Sequence, residues 1–442
     1  MPVVSSTPTT VSGLFKRVYA SINEVLPEGF PFIKNVAKYE AAKKAGSSIE
    51  YSIPLTHENG LSLFGSSGDV QTFSDSQAGV VRAASIVPCE TFISSSLSTA
   101  TLSRAAKEGE GAFKQASKDR VGRNVKSHHR FIEHLCFYGQ DTFGLGRVGF
   151  FTSTWQGTVF TNGTGTLAGT AFTTGVNIAA KRILLNPADL ATGIWLGAEG
   201  MEVRQRAIGG AVVATGAVTA VDLRNGIITV DFTPVAATTA TSHCLELLNQ
   251  NGASGLDFVG AKGILTRSGV LFGIDNSLFG IWKGGEETIS GKLTFSKVID
   301  ALMVSCNRGL DKDVTVFVSY DSWADMMTEQ AALRQYDSSY KESEAKQGMS
   351  GIVFKSINGT IEIMPSRFVR RSDAFSFASG DWRRVGSSDV TMKIPGVDDG
   401  ELIQKPITTN AFVFRSYSDQ ALICLAPSQS LYLSGIDPLS AV

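Results

Sequence analysis

Residues 97 to 138 read as one long helix, because Val121, Val125, Ile132 and Leu135 keep a helical stripe while Lys114, Lys118, Arg123, Lys126 and Arg130 cover much of the rest. At about 1.5 Å per residue, roughly 40 residues span ~60 Å. Gly109, Gly111 and Gly122 are its weak points, and Tyr138-Gly139 ends it. Ahead of it, Ile49, Tyr51, Ile53 and Leu55 alternate as one face of a strand, and Pro54 argues for an edge position. The turn-rich GSSGD at 65 to 69 and a second apolar stretch, VVRAASIV at 80 to 87, complete a long hairpin with little core of its own. An isolated hairpin is marginal in water, so this one is expected to lie on something else.

Directly after the helix, Gly144-Leu145-Gly146-Arg147-Val148-Gly149 fits the GxGxxG dinucleotide fingerprint letter for letter. The fingerprint works only when a strand leads in, a helix leads out and an acid about 20 residues on reaches the ribose. Here a helix leads in, and no Asp or Glu occurs between Asp141 and Asp189, so the motif reads as a glycine-permitted turn. GEETISGK at 285 to 292 is like a P-loop but has one residue too many between its glycines, and Leu293 stands where magnesium needs a hydroxyl.

Other candidate chemistry is sparse. His129 and Glu133 are one helical turn apart and could share a metal, but His134 falls on another face and catalytic zinc wants three converging ligands. Arg367, Arg370, Arg371, Arg383 and Arg384 interleave with Phe368, Phe375, Phe377 and Trp382, a pattern that either stacks on single-stranded bases or, as the favoured reading, belongs to a protein interface. Asp398, Asp399 and Glu401 around Gly400 read as a solvated turn. The five cysteines form no CxxC and are odd in number, which points to a reducing compartment. No GxSxG occurs, and no catalytic, cofactor-binding or metal residue is assigned.

Charged residues are 18% of the 442, against about 25% in ordinary soluble chains. With no apolar run of membrane length, so little charge points to broad subunit interfaces. Lys+Arg (40) and Asp+Glu (41) balance, so net charge selects no partner. The run from Lys114 to Arg130 is locally basic, however, with Lys114, Lys118, Arg120, Arg123, Lys126 and Arg130 against Asp119.

Residues 1 to 44 read as an extended, Pro-interrupted arm, and the first 19 lack the pattern of a secretion signal, so the expectation is a chain made and used in a cytoplasm. Strand-like pieces between 196 and 236, with an Asn225-Gly226 turn, read as a small β insertion dispensable for the fold. From 294 the pattern is a compact α/β unit: Phe295, Val298, Ile299, Leu302, Met303 and Cys306 on one helix face, Gly309 ending that helix, a buried strand at 314 to 319, and Ser322 with Asp325 capping a second helix. Strands return at 389 to 394, 411 to 417 and 421 to 425.

This order of elements, together with GSSIEYSIPLTHENG, FYGQDTFGLGRVGF, FGIDNSLFGIWKG, GDWRRVGSSDVTMKI and NAFVFRSYSDQALICL, resembles the major capsid proteins of tailed bacteriophages, whose fold encapsulins share. The resemblance implies an α+β fold with an N-terminal arm (1–44), extended hairpin loop (45–95), peripheral domain with spine helix (96–150), axial domain (151–384, insertion at about 196–240), peripheral strands (385–426) and a C-terminal segment (427–442). It implies a non-enzymatic protein that assembles with itself into hexamers and pentamers of an icosahedral virion shell in the host cytoplasm. Implied partners are packaged double-stranded DNA, bound without base reading, and, as candidates, scaffolding, portal and decoration proteins; no cofactor and no membrane are implied. Lys114, Lys118, Arg123, Lys126 and Arg130 are the candidate DNA-facing residues. An encapsulin-like shell around enzyme cargo, a nucleotide-binding enzyme and a tail or portal component are the alternatives.

Some members of that family weld their shells by an isopeptide bond from a lysine of the extended loop. Here no lysine lies between Lys44 and Lys107, and Arg82 cannot become a nucleophile. Particles of this chain boiled in SDS are therefore expected to run as a single band at the monomer mass. A covalent ladder mapping by mass spectrometry to residues 45 to 96 would contradict this.

Overall fold

The computed structural model describes residues 29–42, 48–63, 75, 78–99, 110–140, 147–151, 176–177, 181–207, 212–235, 243–247, 257–334, 352–356, 359–392 and 411–437. The described chain opens with a short helix α1 (Pro31–Asn35), whose proline sits where a missing N–H costs nothing, and strand β1 (Lys38–Ala41). β2 (Ile49–Pro54) and β3 (Val81–Ile86) pair antiparallel, from Ile49 opposite Ile86 to Pro54 opposite Val81. β4 (Cys89–Ser98) leads toward the long helix α2 (Glu110–Tyr138).

The strand takes Leu97 and Ser98, which the periodicity assigned to the helix. Both continue its ladder, opposite Phe412 and Ala411. Three consecutive serines, Ser94 to Ser96, compete with helical hydrogen bonding and favour the extended form. β4 forms one edge of a four-stranded sheet with β1, β19 (Trp382–Thr391) and β20 (Ala411–Cys424), in the order β1-β19-β20-β4. The first and last thirds of the chain are thereby joined, and β1 runs parallel to β19.

α2 crosses this sheet on a largely polar face. The Asn124 side-chain amide donates to the carbonyls of Ile93 (3.2 Å) and Phe414 (3.4 Å), and Ser416 donates to the Asn124 carbonyl oxygen (2.6 Å). Each ring nitrogen of buried His128 meets a hydroxyl, Thr91 at 2.7 Å and Ser416 at 2.8 Å. Further along, Ile132 and Leu135 are buried as the stripe requires.

A six-stranded sheet, in the order β14-β21-β18-β15-β17-β16, is built from β14 (Gly285–Gly291), β15 (Val314–Val318), β16 (Ile352–Ser356), β17 (Gly359–Pro365), β18 (Ala374–Ala378) and β21 (Leu431–Ile436). Its two faces serve different cores. Val314, Val316, Val318, Ala374 and Ala378 pack with α5 (Phe295–Asn307) and with Met326 of α6 (Tyr320–Arg334). Phe317, Phe375 and Phe377 point the other way, into an aromatic cluster with Phe32, Phe137 and Trp382.

Two expectations change here. Phe295, Val298 and Leu302 of α5 are buried, whereas Ile299 and Met303 are 45% and 56% exposed and Cys306 is half-buried, because the sheet covers only one narrow stripe. The cap of α6 is Ser319, whose hydroxyl accepts the Ser322 N–H at 3.2 Å, while Asp325 pairs with Lys292 at 2.8 Å. Gly309, at φ +95, follows the end of α5 in the conformation glycine tolerates best.

The segment expected as a removable insertion is the middle of a seven-stranded sheet. β5 (Arg147–Phe150), β6 (Val176–Asn177), β7 (Arg182–Leu184), β8 (Glu202–Ala207), β9 (Val212–Asp222), β10 (Ile227–Val230) and β11 (His243–Leu247) run in the order β5-β11-β8-β9-β10-β7-β6. Val203, Val218 and Ile228 fill its core with Trp195 of the single-turn helix α3 (Thr192–Trp195). Removing 200 to 236 would take β8 from β11 and β10 from β7, splitting the sheet into two isolated pairs, β5-β11 and β7-β6. The Asn225-Gly226 turn does form, with Gly226 at φ +66 and the Asn225 N–H on Asp222. Helix α4 (Ala261–Thr266) and the small pair β12 (Val270–Leu271) and β13 (Ile274–Asp275) complete the fold beside β3, where the Ser85 N–H reaches the Phe272 carbonyl at 2.9 Å.

The His128 junction makes stability pH-dependent. Burial, and next the charge of His129, push the His128 ring down to about 4 from 6.5. Between those values the unfolded chain takes up a proton that the folded one refuses, so this contribution to stability is lost as pH falls from 6.5 to 4. His128→Gln is expected to lose about 2 kcal/mol less than the native chain between pH 7 and pH 5 in urea unfolding, the worth of most of that shift. Equal losses in both proteins would show the ring titrating normally.

Candidate functional site

The glycine fingerprint is not a cofactor site. Gly144 to Gly146 lie outside the described residues, but α2 ends at Tyr138 before them and Arg147, Val148 and Gly149 belong to strand β5. A helix enters and a strand leaves, the reverse of what a dinucleotide needs. The P-loop-like segment is strand β14 as far as Gly291, with Lys292 engaged by Asp325. Asp398, Asp399 and Glu401 lie outside the described residues.

Glu133 is not available to a metal. It is fully buried, and its two carboxylate oxygens accept the N–H groups of Phe32 (2.8 Å) and Ile33 (2.9 Å), capping α1 from a helix one hundred residues further on. Burial pushes its carboxyl up to about 7, against the opposing pull of those two N–H groups. His129 turns to the Val125 carbonyl (2.9 Å), and buried His134 is pushed down to about 3 by burial and then by the charge of Arg370. Among the described residues no group of three or more His, Cys, Asp or Glu could hold a metal ion, and no helix is long and apolar enough to cross a membrane.

The arginine and aromatic pattern resolves into structure. Phe368, Phe375, Phe377 and Trp382 are all at most 4% exposed, so they cannot stack on bases. Arg383 pairs with Glu40 (2.8 Å) and Arg371 with Asp321 (2.7 Å). Arg384 donates to the Ala37 carbonyl, Asp389 and Gln420, each at 2.8 Å, and so holds the β1 approach against β19.

Arg370 anchors the densest polar cluster, which sequence reading missed. Its guanidinium lies 4.1 Å over the Tyr138 ring, donates to the Arg147 carbonyl (2.7 Å) and approaches Asp189 (3.4 Å). Its backbone N–H donates to the Tyr138 hydroxyl (2.9 Å), which donates to Asp373 (3.0 Å). The other Asp373 oxygen accepts from Tyr432 (2.8 Å), and Lys262 stands 3.5 Å from the oxygen that Tyr138 meets. Burial and then the Asp373 charge hold the Tyr138 and Tyr432 hydroxyls far above their usual range, so both stay protonated donors.

The candidate basic residues divide. Lys114 and Lys118 lie on α2, with side chains outside the described residues. Arg123, Lys126 and Arg130 share one face of α2 at helical spacing and line a pocket with Ser127, Gly29, Phe30, Gly193, Leu196, Phe368 and Arg367, the last supplied from after β17. Arg130 is already engaged: it donates to the Leu196 carbonyl (2.9 Å) and stacks on Phe131, with its centre 5.0 Å from the ring. Burial lowers its pKa, against the pull of Glu199.

No protein-family model matches the chain, and no curated protein does. Similar solved structures include the capsid asymmetric unit of cyanophage A-1(L), 8% identical with a TM-score of 0.49 over 95% of each chain. Another is the capsid of a native GTA particle, 8% identical with a TM-score of 0.45 over 95% of each chain. A third is from Mycobacterium phage Che8, 8% identical with a TM-score of 0.42 over 94% of each chain.

Truncating the Asp373 carboxylate would leave Tyr138, Tyr432 and Lys262 without their shared acceptor. Asp373→Ala is expected to cost about 3–5 kcal/mol, the scale of breaking a buried charge pair, and Asp373→Asn less because an acceptor oxygen remains. Chemical denaturation of both variants checks the order and the size.

Proposed function

We propose that the chain is a shell-forming structural protein, the major capsid protein of a tailed bacteriophage, whose copies assemble into hexamers and pentamers around double-stranded DNA. The observation that carries this reading is the β2–β3 arm. At its base Ile49, Ile53, Ala84 and Ile86 are buried in the chain's own core, so the hairpin is rooted rather than loose. Beyond the base Val81, at the end of the ladder, is 60% exposed, and Leu61 and Leu63, in the segment that follows β2, are 80% and 84% exposed. Covering one such side chain is worth roughly 1.5–3 kcal/mol, which a neighbouring subunit would supply.

The buried polar groups support a structural role. Glu133, His128, Arg384 and Asp373 are each committed to backbone or side-chain partners inside the fold, and each bridges segments far apart in sequence. The sequence likeness to capsid proteins and the low charge point the same way. Arg123 and Lys126, with Lys114 and Lys118 on the same helix, are the proposed contacts to packaged DNA, through phosphates and without base reading. Scaffolding, portal and decoration proteins remain candidate partners of the assembled shell.

Negative-stain imaging of the expressed full-length chain tests the reading. Rings with five-fold and six-fold symmetry or closed shells are the expected outcome. A monomer that persists at high concentration, with the residues around Leu61 and Leu63 protected from proteolysis, would overturn it.

A further inference from the structure

The root of the β2–β3 hairpin has one edge covered and one edge open. On the β3 side the Ser85 N–H donates to the Phe272 carbonyl at 2.9 Å, in the turn between β12 and β13. On the other side β2 has no strand partner among the described residues, since it pairs with β3 alone. A cavity of about 390 Å³ lies there, walled by residues 51 to 54 of β2, by Ile281 and Trp282, and by Leu425. Successive side chains of a strand point to opposite faces, so a hollow that meets four consecutive residues runs along the strand's backbone edge. Arg383 also lines it, and among the described lining residues it is the one that carries a full charge.

Apolar side chains suited to this hollow occur on the same chain. Leu61 and Leu63 are 80% and 84% exposed, so they do not fill the groove of their own copy. Being two residues apart, they face one side of an extended backbone. The hairpin leads them outward: beyond Pro54 the Leu55 N–H still donates to the Val80 carbonyl (2.8 Å), and the Val80 N–H to the Thr56 hydroxyl (2.7 Å). Charge fits as well. Between residues 55 and 63 Glu58 is the one acid, and there is no Lys or Arg. Arg383 gives one nitrogen to Glu40 at 2.8 Å, in a pair whose side chains are 39% and 49% exposed. Such a pair is weakly held in water, and the guanidinium fork has donors for a second carboxylate.

We propose that the groove beside β2 receives the 61–63 segment of a second copy of this chain, which lies along the open strand edge with its leucines against Ile281 and Trp282 and Glu58 beside Arg383. Main-chain groups of β2 hold the visiting backbone and the hollow takes its alternate side chains, the mode by which extended segments add to sheet edges. Sites that enclose small molecules have volumes of roughly 300–1,000 Å³, so the hollow is large enough for two leucine side chains. The contact joins two different patches of the chain. Each copy therefore gives one tip and receives another, and successive contacts close into a ring where the rotation between copies allows it. While resting on the shell-forming role proposed above, the contact names the surface that one hairpin meets.

Two full-length single variants test it, Leu63→Cys and Ile281→Cys, at positions 84% and 49% exposed where the substitution leaves the core intact. They are co-expressed, assembled, oxidised and run in SDS without reducing agent. Each chain carries only one of the new thiols, so a disulfide between 63 and 281 can form only between copies. The mixture is expected to give a covalent dimer, at least tenfold more than either variant alone. Mass spectrometry should locate the bond at 63 and 281 rather than at half-buried Cys89 or Cys306. A second mixture replaces Ile281→Cys by Ser52→Cys, on the β2 wall, because disulfides tolerate little error in geometry. Leu61→Asp added to the Leu63→Cys chain is expected to reduce the dimer at least tenfold.

Rings or shells that form normally while neither mixture yields the bond would overturn the groove contact and leave the proposed function standing. A bond undiminished by Leu61→Asp would also overturn it, because the leucines would then not be what docks. Maleimide labelling of Ile281→Cys is expected to slow at least tenfold on assembly; slowing without the bond would give the groove to another segment or another protein and sink the proposal. A 63–281 bond in short open chains of copies that never close would support the contact and refute the shell. No association of the native chain at all would remove both.

Discussion

Asp373 is a single buried carboxylate on which several otherwise separate bodies lean. Tyr138 reaches it from the end of the long helix, Tyr432 from β21 and Lys262 from α4, while Arg370, three residues earlier, carries the connection to Asp189 and to β5, the edge strand of the seven-stranded sheet. An ionised group sealed among aromatic rings is tolerable only when its partners are all present. The relative placement of the spine, the six-stranded sheet and the β sheet that follows the spine is therefore fixed jointly. Pairwise apolar packing permits some sliding; this cluster does not, since each hydroxyl must meet its own oxygen.

The same logic recurs at the start of the described chain. α1 is only five residues long and could not persist in water by its own hydrogen bonds. It exists because Glu133 supplies two acceptors at its amino end and because Phe32 sits between Phe137 and Phe377 at 4.9 Å from each. Arg384 then takes the Ala37 carbonyl, and β1 completes the edge of the sheet. The leading segment is held by the spine helix and by a strand more than three hundred residues later, rather than by anything local.

What could be read in advance follows from this. Ile132 and Leu135, the β2–β3 alternation, the Asn225-Gly226 turn and the strand at 314 to 318 depend on neighbours within a few residues, and periodicity or turn chemistry reports them. Leu97 and Ser98 went to a strand because their ladder partner, β20, lies more than three hundred residues away. Ile299 and Met303 match the helical stripe of α5 as well as Leu302 does, and only the width of the covering sheet separates them. Glu133, Arg370 and Arg384 were visible as chemistry but not as roles, since the cap and the bridges they make have partners as far as 101, 223 and 347 positions distant. Arg367 joined the basic face of α2 only in three dimensions.

β21 carries a kinetic consequence. It lies between β14 and β18, parallel to the first and antiparallel to the second, yet it follows every other strand in the chain. Until residues 431 to 436 have been synthesised, β14 has no partner in its sheet, and Tyr432 cannot reach Asp373. A nascent chain would therefore carry an open slot until every other strand of that sheet has been made, and its sheet would close late and by long-range contacts, which are slow to form. A subunit timed this way stays incompetent until its last sheet strand has emerged: copies being translated side by side on one messenger cannot lock together through that sheet before then.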